Sequence, residues 1–248
     1  MKRAHLLAFP LCAACTTSAV LAQDGQQGFS AGLAVGVSTN PYIGEDNDAS
    51  PFPLIRYQGN GFSVGTTGVF IDAFSTPVSK LEFVATPRFT GLEDPDADEL
   101  NGIDRDFTVD AGFRFTYDVT PGTELVTTVL QEVTGEHDGQ ELRVSLSRSS
   151  DGFGFPLKGT VGVSWKSEDL SEYTYGVFAS EARGGRDAYS PGSTLTPFVG
   201  LSSSIPLSQS AVLIGGVRAE FLEDDISDSP IVDEDVIFGA SIGVQFSF

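Results

Sequence analysis

Along most of the chain apolar residues recur at every second position. In GFSAGLAVGVS, Phe29, Ala31, Leu33, Val35 and Val37 alternate with Ser30, Gly32, Ala34, Gly36 and Ser38. In DFTVDAGFRFTYD, Phe107, Val109, Ala111, Phe113, Phe115 and Tyr117 alternate with Thr108, Asp110, Gly112, Arg114, Thr116 and Asp118. The chain ends the same way, with Phe238, Ala240, Ile242, Val244, Phe246 and Phe248 set against Gly239, Ser241, Gly243, Gln245 and Ser247. A period of two sends successive side chains to opposite faces of a strand, so each segment has one apolar face.

Eleven segments read as strands, at 28–38, 51–58, 61–74, 78–90, 106–118, 123–134, 140–149, 156–167, 195–205, 210–222 and 236–248. Most reach about 10 residues, the length that crosses a bilayer as a tilted strand. The second face carries Gly, Ser, Thr and isolated charges, which suits a wet lumen, while the apolar face suits lipid. Strands cross a bilayer only in a closed barrel, because each backbone polar group must find a partner inside the protein. The connections are of two kinds. QGNG (58–61), TPGTE (120–124) and IPLSQS (205–210) are short, whereas 39–50, 91–106, 166–193 and 223–235 are long and acidic. Short periplasmic turns and long outer loops are the pattern of outer-membrane barrels. Such barrels have even strand numbers. A reversal at TTG (66–68) divides the segment 61–74 and gives twelve strands, and treating the first segments as a non-spanning arm gives ten. The expected fold is all-β: a single up-and-down antiparallel transmembrane β-barrel of about 12 strands. Phe246 and Phe248, at the end of its closing strand, resemble the C-terminal signature read by the barrel-assembly machinery.

The first residues change the picture of the mature chain. Lys2 and Arg3, an apolar run from Leu6 to Ala14, and Val20-Leu21-Ala22 predict a secretory signal peptide over 1–22, cut after Ala22, with the barrel occupying 23–248. A lipid-anchored alternative uses Cys15, but Cys12 is a poor residue at its −3 position. Both cysteines fall in the removed segment, so no disulfide or Cys-ligated metal is expected. The formal charge of −20 becomes more negative once Lys2 and Arg3 are lost. That surface repels nucleic acid, which is excluded as a partner.

Candidate chemistry is thin. His137, the single histidine of the mature chain, reads as a solvated imidazole at a loop tip between Glu136 and Asp138 rather than as half of a Ser–His pair. The run DPDADELNG invites an EF-hand reading from Asp94, Asp96 and Asp98, but Glu99 takes the place of the required Gly and Arg105 that of the required Glu. The bland reading of this stretch is a hydrated acidic loop. Charged residues on the strands, among them Lys80, Arg88, Asp110, Arg143 and Arg218, either line a pore or pair internally. No catalytic, cofactor-binding or metal-ligating residue is singled out.

Several stretches, in order, resemble the MipA/OmpV family of Gram-negative outer-membrane proteins. They are YIGEDNDASPFPLIRY, with Tyr42, Gly44, Asp46, Pro53, Leu54 and Tyr57; VTGEHDGQEL, with Gly135 and Gly139; YTYGVFASEARGGRDAYSPG, with Tyr175, Gly176, Val177, Tyr189, Pro191 and Gly192; and ISDSPIV, with Asp228, Ser229, Pro230 and Ile231. The resemblance implies a barrel in the outer membrane, in contact with outer-membrane lipid and lipopolysaccharide, and no catalytic residue. It further implies a non-catalytic scaffold, whose partners would be a lytic transglycosylase and a penicillin-binding protein engaged through short periplasmic turns. A small-solute pore or a loop-based adhesin is the alternative.

Overall fold

The computed structural model describes residues 27–47, 49–93, 95–151 and 154–248. The expected signal peptide with its cut after Ala22, and Asp94 of the acidic run, lie outside the described residues. Twelve strands follow: β1 Gly28–Ser38, β2 Ala49–Gln58, β3 Phe62–Gly65, β4 Gly68–Thr76, β5 Ser79–Arg88, β6 Thr108–Thr120, β7 Thr123–Glu132, β8 Gln140–Ser150, β9 Leu157–Lys166, β10 Thr194–Pro206, β11 Ala211–Phe221 and β12 Val236–Ser247. Each pairs antiparallel with its neighbours in sequence, and β1 pairs with β12 to close the barrel. No helix of the described residues is long and apolar enough to cross a membrane.

The alternation seen in the sequence becomes an inside and an outside. Leu33, Val35, Phe113, Phe115, Val217, Phe238 and Ile242 are exposed on the outer wall. Their neighbours Ala34, Asp110, Arg218 and Thr196 are buried within. An outer wall of aliphatic and aromatic side chains is stable only against lipid.

The predicted reversal at 66–68 is present. β3 has four residues and turns through Thr66 and Thr67 into β4, with Gly65 opposite Gly68. Gly68 has φ +126°, and a Cβ there would stand 2.3 Å from the Ala85 carbonyl oxygen, so the turn requires glycine. This hairpin stops partway up the wall. β2 pairs with β3 only over Arg56–Gln58, and β4 pairs with β5 no higher than Ala85. Above it, Ala49–Leu54 of β2 and Thr86–Arg88 of β5 have no strand between them and do not pair with each other.

Strand ends differ from the sequence reading where side chains intervene. β7 ends at Glu132 rather than at 134 because the Glu132 carboxylate accepts the backbone N–H groups of Gly135 (2.8 Å) and Asp138 (3.2 Å), drawing the chain round. β2 starts two residues earlier than expected despite Pro51 and Pro53, since prolines are tolerated where the N–H would face an open edge.

An outer cap over a charged lumen

The long connections all leave one rim, which is the extracellular one by the rule that outer loops are long. They are 39–48, 89–107, 133–139, 167–193 and 222–235. Their sequence holds 24 acids and three bases. Asp96, Asp98 and Glu99 of the acidic run are exposed, as expected of a hydrated acidic loop, but four of the loops also share a hydrophobic core that the sequence did not suggest. Tyr42 comes from the first; Leu92, Leu100 and Ile103 from the second; Tyr175 and Val177 from the fourth; Ile226, Ile231 and Val232 from the fifth. Leu92, Leu100, Ile226 and Ile231 are fully buried.

Local structure presents these side chains. The fourth loop carries helix α1, Glu168–Tyr175, capped by the Ser167 side chain, which accepts the Leu170 N–H, and begun by two acids that suit a helix N-terminus. The fifth carries a single helical turn, Asp224–Ser227. Tyr42 is the hub: its hydroxyl lies 3.0 Å from the carbonyl oxygens of both Thr90 and Thr174, and its ring packs 6.4 Å from that of Tyr175. Burial, and then the neighbouring Tyr175, raise the Tyr42 pKa well above the usual phenol value. Pro53, Leu54 and Tyr57 of the family resemblance lie on β2, whereas several of its loop residues gather in the same cap. Ser229 Oγ donates to the Tyr175 carbonyl at 2.6 Å, and Tyr189 donates to that of Asp225 at 2.8 Å. Gly44 has φ +79°, and a Cβ there would press on Ala97 and Glu99. Gly176 closes α1, and Pro191 is buried. Pro230, between Ser229 and buried Ile231, is half-buried.

Sequence reasoning missed the arginines. Arg105 is 2 % exposed and inserts from the second loop into the fourth. It donates to the Tyr173 carbonyl at 2.9 Å, forms a two-pronged pair with Glu181, and lies 4.3 Å from the centre of the Phe178 ring. Arg186 donates to the Glu99 and Asn101 carbonyls at 2.7 and 3.1 Å, and Arg183 to those of Asp98 and Glu99. All three bases of the outer loops are thus internal staples. Their rarity among acids was the available signal. His137 is also corrected: it is half-buried, stacks 4.5 Å from Tyr173, and its Nδ1 accepts the Gly139 N–H at 3.0 Å. Burial, followed by the Arg88 charge, lowers its pKa.

Beneath the cap the lumen is crossed by ion pairs. Arg88 on β5 meets Asp110 of β6 at 2.5 Å and reaches Glu141 of β8 at 2.6 Å. Glu141 also takes Arg143 at 2.5 Å and the Ser164 hydroxyl at 2.6 Å. Arg218 pairs with Glu220 at 2.7 Å and lies over the Phe198 ring. Nearer the periplasmic rim, Lys158 pairs with Glu124 and Lys80 with Asp72 and Glu82. Lys166 Nζ stands 3.1 Å from the Tyr175 hydroxyl, joining lumen to cap. Phe246 and Phe248 sit at the periplasmic end, where Phe248 donates its N–H to the Phe29 carbonyl at 2.9 Å and packs ring to ring with Phe29 at 6.0 Å.

At the seam the cap continues what the strands begin. β1 and β12 pair along their length, and beyond them Thr39 donates to Phe238, Ile43 to Ile231 and Asp233 to Pro41.

An apolar belt, a charged interior, long loops at one rim and short turns at the other define an outer-membrane β-barrel. The chain belongs to the MltA-interacting protein MipA family, whose sequence profile matches residues 31–248. It is 30% identical to the MltA-interacting protein of Escherichia coli (strain K12) over 100% of both chains. It is 26% identical to outer membrane protein OmpV of Vibrio cholerae, over 82% of this chain and 81% of that one. Among solved structures it is similar to the COG4313 outer membrane channel from Pseudomonas putida F1, at 10% identity and a TM-score of 0.44 over 90% of this chain and 96% of the other. The protein resides in the outer membrane.

Proposed function

We propose that this barrel is a non-catalytic scaffold, closed to solutes, that offers its periplasmic turns to peptidoglycan-remodelling enzymes. The observation that supports this reading is a cap with a buried hydrophobic core at the rim of a lumen in which an ion pair reaches from β5 to β8. A diffusion pore needs a continuous wet path, and both features oppose one. The name of the Escherichia coli relative records an interaction with MltA, which supports a lytic transglycosylase as one partner. A penicillin-binding protein is a second candidate. The periplasmic turns at 59–61, 77–78, 121–122 and 207–210 are short connections between long strands.

Two measurements test the reading together. Purified barrel in planar lipid bilayers should give no steady conductance steps, and immobilised barrel should retain a purified lytic transglycosylase. Steady steps without retention would favour the pore.

A further inference from the structure

The short β3–β4 hairpin leaves a break in the upper wall, and three prolines stand on its two sides. Thr66 donates its N–H to the Ile55 carbonyl at 3.0 Å, so the odd-numbered residues of β2 direct their backbone polar groups toward β3. Pro51 and Pro53 share that parity, and their nitrogens face the break. On the other side, Asp118 donates its N–H to the Val78 carbonyl at 2.9 Å on the β6 side, so even residues of β5 face β6, odd ones face β4, and Pro87 faces the break. Every one of these positions is the one where an N–H would point into the opening, and proline has none. Among the described residues of these edges above Ile55 and Ala85, only Ala49 directs an N–H there. Orphaned N–H groups are the costlier omission in lipid, and here the sequence has removed them.

The outward residues beside the opening are apolar, the kind of surface that acyl chains cover. Pro53 and Pro51 pair with Leu33 and Val35, which are exposed on the outer wall, and Pro87 pairs with Val109 next to exposed Phe107. The inward side chains beside it are apolar in a lumen otherwise rich in charge: Phe52 is half-buried, and Leu54 and Val84 beneath it are buried. Its upper edge is shut by the cap, where Ala97 donates to Glu45 at 2.9 Å. Proline also denies a partner strand the donors it would need, so strand addition does not close the break.

We infer that the break between β2 and β5 is a lateral window that admits an acyl chain of an outer-leaflet lipid against Phe52. The window would make this barrel a lipid-holding protein as well as a scaffold, and the inference does not depend on the scaffold reading.

Tryptophan quenching tests it. In a background of Trp165→Phe, Phe52→Trp and Ile214→Trp each place one inward tryptophan on the same hydrogen-bonded row, which runs Phe52–Ala34–Gly243–Ile214. β11 is paired on both sides at Ile214, so no window exists there. The proteins are refolded into phosphatidylcholine vesicles whose acyl chains are brominated at two depths, which covers the tilt of the row. Quenching at position 52 should be at least about twice that at 214 and approach that of an outward Leu33→Trp control. Equal quenching at 52 and 214 overturns the window. Should Phe52→Trp not fold, as judged by heat-dependent gel migration, Ser50→Trp, the next inward position on β2, is read the same way.

Discussion

Arg105 concentrates the problem of the cap in one side chain. A guanidinium held at 2 % exposure is tolerable because Glu181, three carbonyls and an aromatic face surround it. Removing one partner of a buried pair strands the other, at about 3–5 kcal/mol. Arg105→Met should therefore open the cap, measured as rapid proteolysis within 89–107 and 167–193, while the barrel keeps its heat-dependent gel migration. Protection equal to the parent would show that the pair is dispensable. A second residue-scale prediction concerns alkali. Burial, and then Glu136, push the Tyr173 pKa up to about 12, and Tyr42 moves in the same direction. The opened cap releases these protons near the ordinary value of 10.0, before the closed one does. The contribution to cap stability is thus complete below pH about 10 and is lost as pH rises towards 12. Tyr173→Phe should flatten this loss in a proteolysis-versus-pH profile; an unchanged profile would assign the alkaline loss elsewhere.

At the scale of elements, most of the barrel was legible and the reason is local. Period two is written in consecutive residues, so the faces of β1, β6 and β12 could be read directly, and glycine with threonine at 66–68 marked the extra reversal. The cap was illegible for the opposite reason. Leu92, Leu100, Ile226 and Ile231 are scattered singly among Asp and Glu, and their contacts join loops more than a hundred residues apart. No local window displays such a core. What could be read of it came through Tyr42, Tyr175 and Ser229, named by resemblance and then found in contact. The last element carries its own prediction. Phe248 is 79% exposed and is held chiefly by Phe29. Its deletion should lower the yield of folded barrel in cells, where assembly must recognise the strand end. The same truncated chain refolded in detergent should keep nearly the parental heat resistance, since little packing depends on the terminus. Equal losses in both settings would make Phe248 a packing residue.

For the whole molecule, charge is sorted by compartment. Of the twelve bases after residue 22, eight lie on inner strand faces, three staple the cap, and Arg148 alone sits on the outer wall. The outer surface is left to carboxylates, which repel one another. Screening lengths fall from about 30 Å at 0.01 M salt to about 8 Å at 0.15 M. Cleavage of the cap by protease should accordingly slow as salt rises over that range, measured against a model substrate that corrects for the protease. A rate indifferent to salt would mean the staples already neutralise the repulsion.

The seam between β1 and β12 gives closure a direction. A newly made barrel leaves its assembly site by exchanging borrowed edges for its own, and that exchange is reversible as long as only ladder bonds hold it. Here the two strands are followed outward by Ile43 to Ile231 and Asp233 to Pro41, and the first of these backbone bonds sits in the loop core. Parting the seam from the rim therefore requires that core to come apart first. Closure acts as a ratchet: each step inserts the next pawl, and the finished seam has no free edge to lend to a neighbour in the crowded plane of the membrane.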